Sequence, residues 1–172
     1  PALLVGDLSL SYRETFAIAA GTARWLRQRL SAEERVLAVL TADPWLIVRM
    51  QLGCLFAGIA LYPIDLVSSS HHIVERCRQA GCRYLVTDLD DPPALAPVNV
   101  IHATVLPEGS DGVPEKFTEN VNDIGLIVAT SGTGGEPKGV MLSFRNLAAS
   151  ASASRRRLGL SPGDLWLNCL PL

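Results

Sequence analysis

The segment Thr130–Val140, TSGTGGEPKGV, carries the side chains of this chain that are best suited to binding an anion. It combines glycines, hydroxyl side chains and one lysine, Lys138, directly after the apolar run IGLIVA (124–129). Backbone N–H groups that no side chain obstructs can converge on a phosphate, and lysine adds a compact positive charge. The composition therefore predicts a phosphate-binding loop at the end of a buried strand.

Two common phosphate loops do not fit this segment. A Walker loop requires G-x-x-x-x-G-K-[ST], but here Pro137 precedes Lys138 and Gly139 follows it. A dinucleotide fingerprint requires G-x-G-x-x-G, and Pro137 occupies the place of its third glycine. The residues after Pro137 also favour an extended segment over a helix. The loop must belong to another class.

Short apolar runs alternate with helical segments along the chain. Predicted strands are RVLAVL (35–40), IALYP (59–63), RYLVTD (83–88), NVIHA (99–103), IGLIVA (124–129), GVMLS (139–143) and a last one starting at LWLNCLPL (165–172). Predicted helices begin after the capping residues Ser11, Asp43 and Ser143, and three serines (68–70) precede a further predicted helix, HHIVERCRQA. Gly58 and Gly81 are placed to end the second and third helices.

This alternation predicts an α/β fold. Because most of the strands are continuously apolar, we expect a doubly wound, largely parallel sheet with helices on both faces. The chain is long enough for one domain with a proper core.

The bulk composition narrows the function classes. Apolar residues make up 48% of the chain and charged residues 19%, which is typical of a globular protein. The net charge of −2 gives no electrostatic reason for a nucleic-acid partner, and no apolar run is long enough to span a membrane. The four cysteines form no C-x-x-C pair, so we expect free core thiols and a cytoplasmic location.

The segment IVATSGTGGEPKGVMLSFRNL resembles the phosphate-binding signature of the AMP-forming adenylating enzymes, usually T-S-G-T-T-G-x-P-K-G-V. Ten of the eleven positions from Thr130 to Val140 agree with it. LSYRE, LGCLFAGIALYPIDL and LGLSPGDLWLNCLPL resemble other parts of the same enzymes more loosely. The resemblance implies that residues 1–172 are the truncated N-terminal part of an AMP-binding domain. The remainder of the large domain and the C-terminal lid would then be absent.

The resemblance also implies the site residues, with Lys138 as the catalytic one and no metal ligand in the chain. The implied ATP phosphate-binding residues are Thr130, Ser131, Gly132, Thr133, Gly134, Gly135 and Lys138. One position departs from the pattern, because Gly134 stands where these enzymes usually have a second threonine or serine. A hydroxyl donor is therefore missing, and we expect weaker phosphate contact or greater use of backbone N–H groups.

The implied activity is that of an acyl-CoA ligase, with ATP, Mg²⁺, coenzyme A and a small carboxylic acid as its partners. GDLWLNCLPL most resembles the o-succinylbenzoate–CoA ligases of menaquinone synthesis. The alternatives are an adenylation domain that loads a carrier protein and a non-catalytic nucleotide-binding or interaction module. A homodimer is compatible with each of them. We expect the 172 residues alone to be inactive, because the motifs that hold ribose and close the site lie downstream in these enzymes.

Overall fold

The computed structural model describes residues 2–109, 120–130, 138–159, 161 and 163–167. Its strands are β1 (Leu3–Val5), β2 (Leu8–Leu10), β3 (Val36–Leu40), β4 (Ala60–Pro63), β5 (Tyr84–Thr87), β6 (Asn99–His102), β7 (Ile124–Thr130) and β8 (Lys138–Ser143). Its α-helices are α1 (Tyr12–Arg29), α2 (Pro44–Ala57), α3 (Ser70–Ala80) and α4 (Phe144–Leu158), and residues Ala103–Val105 form a 3-10 turn.

The helix boundaries follow from capping residues. Ser11 and Glu14 form a capping box at the start of α1, and the Asp43 carboxylate accepts the Trp45 N–H at 2.9 Å at the start of α2. Gly58 and Gly81 adopt left-handed backbone conformations that end α2 and α3. These four signals were predicted from the sequence. The N-cap of α3 is Ser69, one of the three serines (68–70) that precede the predicted helix.

Six of the described strands form one sheet in the order β6-β5-β3-β4-β7-β8. The first five are parallel, and β8 returns antiparallel to β7 at the edge. Helix α2 connects β3 to β4, and α3 connects β4 back to β5 on the other side of β3. The predicted α/β fold with a largely parallel sheet is confirmed.

The two faces of the sheet are buried by different helices. Leu37 and Val39 of β3 pack with the α1 and α2 side chains Leu26, Leu46, Met50 and Cys54. Ala38 and Leu40, which alternate with them along the strand, pack with Ile73 and Cys77 of α3. We call these the α1/α2 face and the α3 face. Because both faces are covered, the strand is apolar without interruption.

Strand β7 is tied to its surroundings by a close contact at its start. Phe144, the first residue of α4, is buried beside Gly125, whose carbonyl accepts a 3.4 Å hydrogen bond from the Gln51 amide. A Cβ built on Gly125 would lie 2.5 Å from the Phe144 ring. The glycine therefore permits α4 to pack against the sheet.

A buried ion pair joins the start of β5 to the turn before β3. The Glu34 side chain is fully buried and accepts hydrogen bonds from the Arg83 backbone N–H at 3.0 Å and from its Nε at 2.9 Å. The Arg83 guanidinium also donates to the Ser31 hydroxyl at 2.7 Å. Both carboxylate oxygens of Glu34 thus have a partner, as burial requires.

Two features differ from, or go beyond, the sequence prediction. The β1–β2 hairpin was not predicted, because its strands have only three residues each. Residues Leu165–Leu167 were predicted to start a strand, but they lie in neither helix nor strand, and residues 168–172 lie outside the described part. No described helix is long and apolar enough to cross a membrane.

The cysteine prediction is confirmed for three of the four residues. Cys54, Cys77 and Cys82 are free and buried, and Cys169 lies outside the described residues. Burial raises the pKa of the Cys54 thiol, which keeps it protonated and unreactive at neutral pH.

We predict that Gly125→Ala destabilises the protein, because the added methyl group would overlap the Phe144 ring. Overpacking of this kind costs about 1–3 kcal/mol. Urea unfolding followed by circular dichroism measures the change.

Gly109→Ala is the matched control, since a Cβ at that position meets no atom within 4 Å. Equal stability of the wild-type protein and Gly125→Ala would show that α4 does not pack as described.

Candidate functional site

The described flanks of the glycine-rich segment form the end of a β-hairpin ladder. Strand β7 ends at Thr130 and β8 begins at Lys138, and these two residues are the last cross-strand pair among the described residues. Because β3, β4 and β7 are parallel, Thr130 lies at the edge of the sheet where the carboxyl ends of these strands meet. Open α/β sheets bind their ligands at this edge.

A side-chain hydrogen bond reinforces this last pair. The Thr130 hydroxyl donates to the backbone carbonyl of Lys138 with an oxygen–oxygen distance of 3.2 Å. Thr130 and Lys138 are both exposed. The two ends of the segment are therefore joined by the ladder and by a threonine side chain.

The Lys138 ammonium has no hydrogen-bond or ion-pair partner among the described residues. Arg83 and Arg78, in contrast, are each paired with a carboxylate. An exposed, unpaired ammonium beside the end of a parallel strand is available to an anionic ligand.

The pleat of the hairpin sets the face on which Lys138 lies. Gly139 and Met141 lie on the α3 face, where they line a cavity of ≈ 600 Å³ together with Tyr62 and Ile127. Side chains alternate along a strand, so Lys138 lies on the α1/α2 face with its cross-strand partner Thr130. The cavity behind the hairpin is therefore separate from the lysine.

A second crevice lies where the chain leaves β3 and β4 toward opposite faces of the sheet. It measures ≈ 1030 Å³ and is lined mainly by apolar side chains, including Ile47, Ile64 and Leu66. Trp166 borders it and is 60% exposed. Among the described residues, neither Thr130 nor Lys138 lines either cavity.

No helix begins directly after Lys138. Strand β8 intervenes, and α4 starts only at Phe144, capped by the Ser143 hydroxyl. At roughly 3.3 Å per residue, the α4 N-terminus at Phe144 lies roughly 20 Å along the strand from Lys138. The dipole of α4 therefore cannot act at Lys138 as the helix dipole does in a Walker loop.

The structure describes only part of the predicted site. Thr130 and Lys138 are described, and the structure pairs them across the hairpin. The other predicted phosphate-binding residues, Ser131, Gly132, Thr133, Gly134 and Gly135, lie outside the described residues. Both flanks of the glycine-rich segment were predicted from the sequence to be extended, but their antiparallel pairing was not predicted. No group of three or more metal-ligating side chains occurs in the described part.

Comparison with known proteins identifies the family. The family model described as AMP-binding enzyme matches residues 1–172. The chain belongs to the AMP-binding enzyme family. The resemblance stated from the phosphate-binding signature is therefore confirmed, and the extent of the match supports the looser similarities elsewhere in the chain.

Curated members of the family fall into two groups. A plipastatin synthase protein of Bacillus subtilis (strain 168) is 32% identical over 145 residues, covering 81% of this chain and 4% of that protein. The 2-succinylbenzoate–CoA ligase of Staphylococcus epidermidis (strain ATCC 12228) is 26% identical over 171 residues, covering 99% of this chain and 35% of the ligase. The chain spans about a third of the ligase and a small part of the synthase.

Solved structures of the same two groups share the fold. The o-succinylbenzoate CoA synthetase of Bacillus subtilis in complex with its acyl-adenylate intermediate matches 96% of this chain and 44% of that one, with a TM-score of 0.83 and 25% identity. The nonribosomal peptide synthetase FmoA3 matches 92% of this chain and 17% of that one, with a TM-score of 0.77 and 27% identity.

We predict that Lys138→Met leaves the free energy of unfolding within about 0.5 kcal/mol of wild type, because an exposed unpaired side chain buries little. Arg83→Met is the matched comparison. It removes the side-chain partner of the buried Glu34 carboxylate, leaving one of its oxygens without a bond, and should cost about 1–3 kcal/mol. Urea titrations of both variants measure the difference, and a large loss in Lys138→Met would mean that its ammonium is paired.

Proposed function

We propose that this chain is the N-terminal part of an ATP-dependent, AMP-forming acid–thiol ligase that activates a carboxylic acid and transfers it to coenzyme A. The observation that carries the proposal is the AMP-binding family match over the whole chain, with an unpaired lysine at the carboxyl end of a parallel strand. The 2-succinylbenzoate–CoA ligases, which match 99% of the chain, favour coenzyme A as acceptor. They also favour an aromatic dicarboxylic acid such as o-succinylbenzoate as substrate.

The proposed reaction has two half-reactions. In the first, a carboxylate oxygen attacks the α-phosphorus of ATP, and the bond from that phosphorus to the bridging oxygen breaks, which yields acyl-AMP and pyrophosphate. In the second, the thiolate of coenzyme A attacks the acyl carbonyl and releases AMP. Mg²⁺ would enter with ATP, because it binds through substrate phosphates with few protein ligands.

The role proposed for Lys138 follows from where charge develops in the first half-reaction. Negative charge grows on the bridging oxygen and on pyrophosphate as the bond breaks. A fixed positive group beside that oxygen stabilises the transition state more than neutralised Mg-ATP. Thr130, Ser131, Gly132, Thr133, Gly134 and Gly135 would surround the phosphates, with the glycines allowing close backbone approach.

A second candidate has a specific observation in its favour. The plipastatin synthase protein has the higher identity of the two relatives compared above, so the acceptor could instead be the pantetheine thiol of a carrier protein. The first half-reaction would be the same, and Lys138 would have the same role. Thioester formation with free coenzyme A, measured against formation with a phosphopantetheinylated carrier, separates the two.

We predict that Lys138→Ala in the complete protein slows the adenylation half-reaction by about 10²–10³-fold, since a single preorganised donor has effects of this size. Pyrophosphate exchange into ATP measures this step. Transfer from preformed acyl-AMP to the thiol should change much less, because pyrophosphate has already left.

Lys138→Arg is the control, because it keeps the charge but changes its shape and reach, and we expect it to recover part of the rate. Equal slowing of both half-reactions by Lys138→Ala would mean that the lysine acts on overall structure, and the leaving-group role would be wrong.

A further inference from the structure

We propose that Thr130 is a positioning residue that holds the backbone of Lys138, and that it is not itself a phosphate ligand. The proposal rests on the proposed function for the role of Lys138. It refines that function by removing the first threonine of the signature from the groups that contact ATP.

The hydrogen-bonding capacity of a hydroxyl supports this assignment. A threonine side chain has one O–H donor, and the Thr130 hydroxyl donates it to the Lys138 carbonyl at 3.2 Å. The phosphate oxygens of ATP and pyrophosphate are acceptors near neutral pH. A hydroxyl that already donates within the protein therefore has no proton left for them.

The place of the Thr130–Lys138 hydrogen bond in the β7–β8 ladder indicates its role. Pairs from Leu126↔Leu142 to Ala129↔Gly139 lead up to Thr130↔Lys138, beyond which the described ladder ends. Thr130↔Lys138 is thus the outermost pair among the described residues, and both of its residues are exposed. The bond adds a side-chain link to this pair, and it acts on the backbone of the residue whose ammonium has the proposed role.

Strand β8 beyond Lys138 also packs closely against β7 on the α3 face. A Cβ at Gly139 would approach the Ile127 Cγ2 atom to 3.0 Å, so β8 lies close to β7 at this point. On the α1/α2 face, Val128 and Val140 precede the Thr130–Lys138 pair and are partly exposed. The Thr130 hydroxyl adds a polar link between β7 and β8 at this end of the hairpin.

The first test needs no nucleotide. Thr130→Val keeps the β-branched shape and removes the hydroxyl. The loss of one hydrogen bond should accelerate exchange of the β8 amide nearest Lys138 that is hydrogen-bonded to β7 by about threefold to tenfold in the ligand-free protein. Thr130→Ser, which keeps the hydroxyl, should stay close to wild type. Val128→Thr, a change of the opposite sense two residues earlier on the same face, is the matched control.

The second test is a double-mutant cycle on the adenylation step of the complete protein. Thr130→Val should slow adenylation when Lys138 is present and should have no further effect on Lys138→Ala. A phosphate ligand would instead slow both backgrounds by the same factor and leave ligand-free exchange unchanged, and that result would overturn the proposal. If the wild-type protein forms no acyl-AMP, the proposed function fails, while the exchange measurement still decides the role of Thr130.

Discussion

The candidate site depends on strand β7 pairing with a parallel strand on one side and with an antiparallel strand on the other. On one side β7 joins the parallel sheet through β4, with Leu61 opposite Leu126. On the other it carries β8 as an antiparallel partner. The parallel pairing places Thr130 at the ligand-binding edge, and the antiparallel pairing returns the chain to that edge at Lys138. Without either pairing the lysine would not lie there.

The proposed anion site differs from a Walker loop in the element that follows the glycine-rich segment. A Walker loop leads straight into a helix, whose N-terminus adds its partial positive charge. Here the chain runs the length of β8 before α4 begins at Phe144. We propose that the positive potential comes mainly from the lysine and from backbone N–H groups, so the placement of the lysine matters more. In the same proposal, the Thr130 hydroxyl bond to the Lys138 carbonyl serves that placement.

Much of the fold could be predicted because its signals are local. The caps at Ser11 and Asp43 and the glycines that end α2 and α3 each act through neighbouring backbone groups. The antiparallel return of β8 could not be predicted, because it depends on contacts between residues such as Gly125 and Phe144 that are distant in sequence. The residue types of the site could be predicted from the signature. The hydrogen bond between Thr130 and Lys138 could not, because it depends on the register of the hairpin.

The central claim is that the protein cleaves ATP between its α- and β-phosphates to activate a carboxylic acid. The most direct measurement incubates the complete wild-type protein with Mg-ATP, coenzyme A and a panel of carboxylic acids, and then identifies the nucleotide products by ³¹P NMR. We expect AMP and pyrophosphate in equal amounts, formed only with an accepted acid. Formation of ADP and inorganic phosphate would contradict the account.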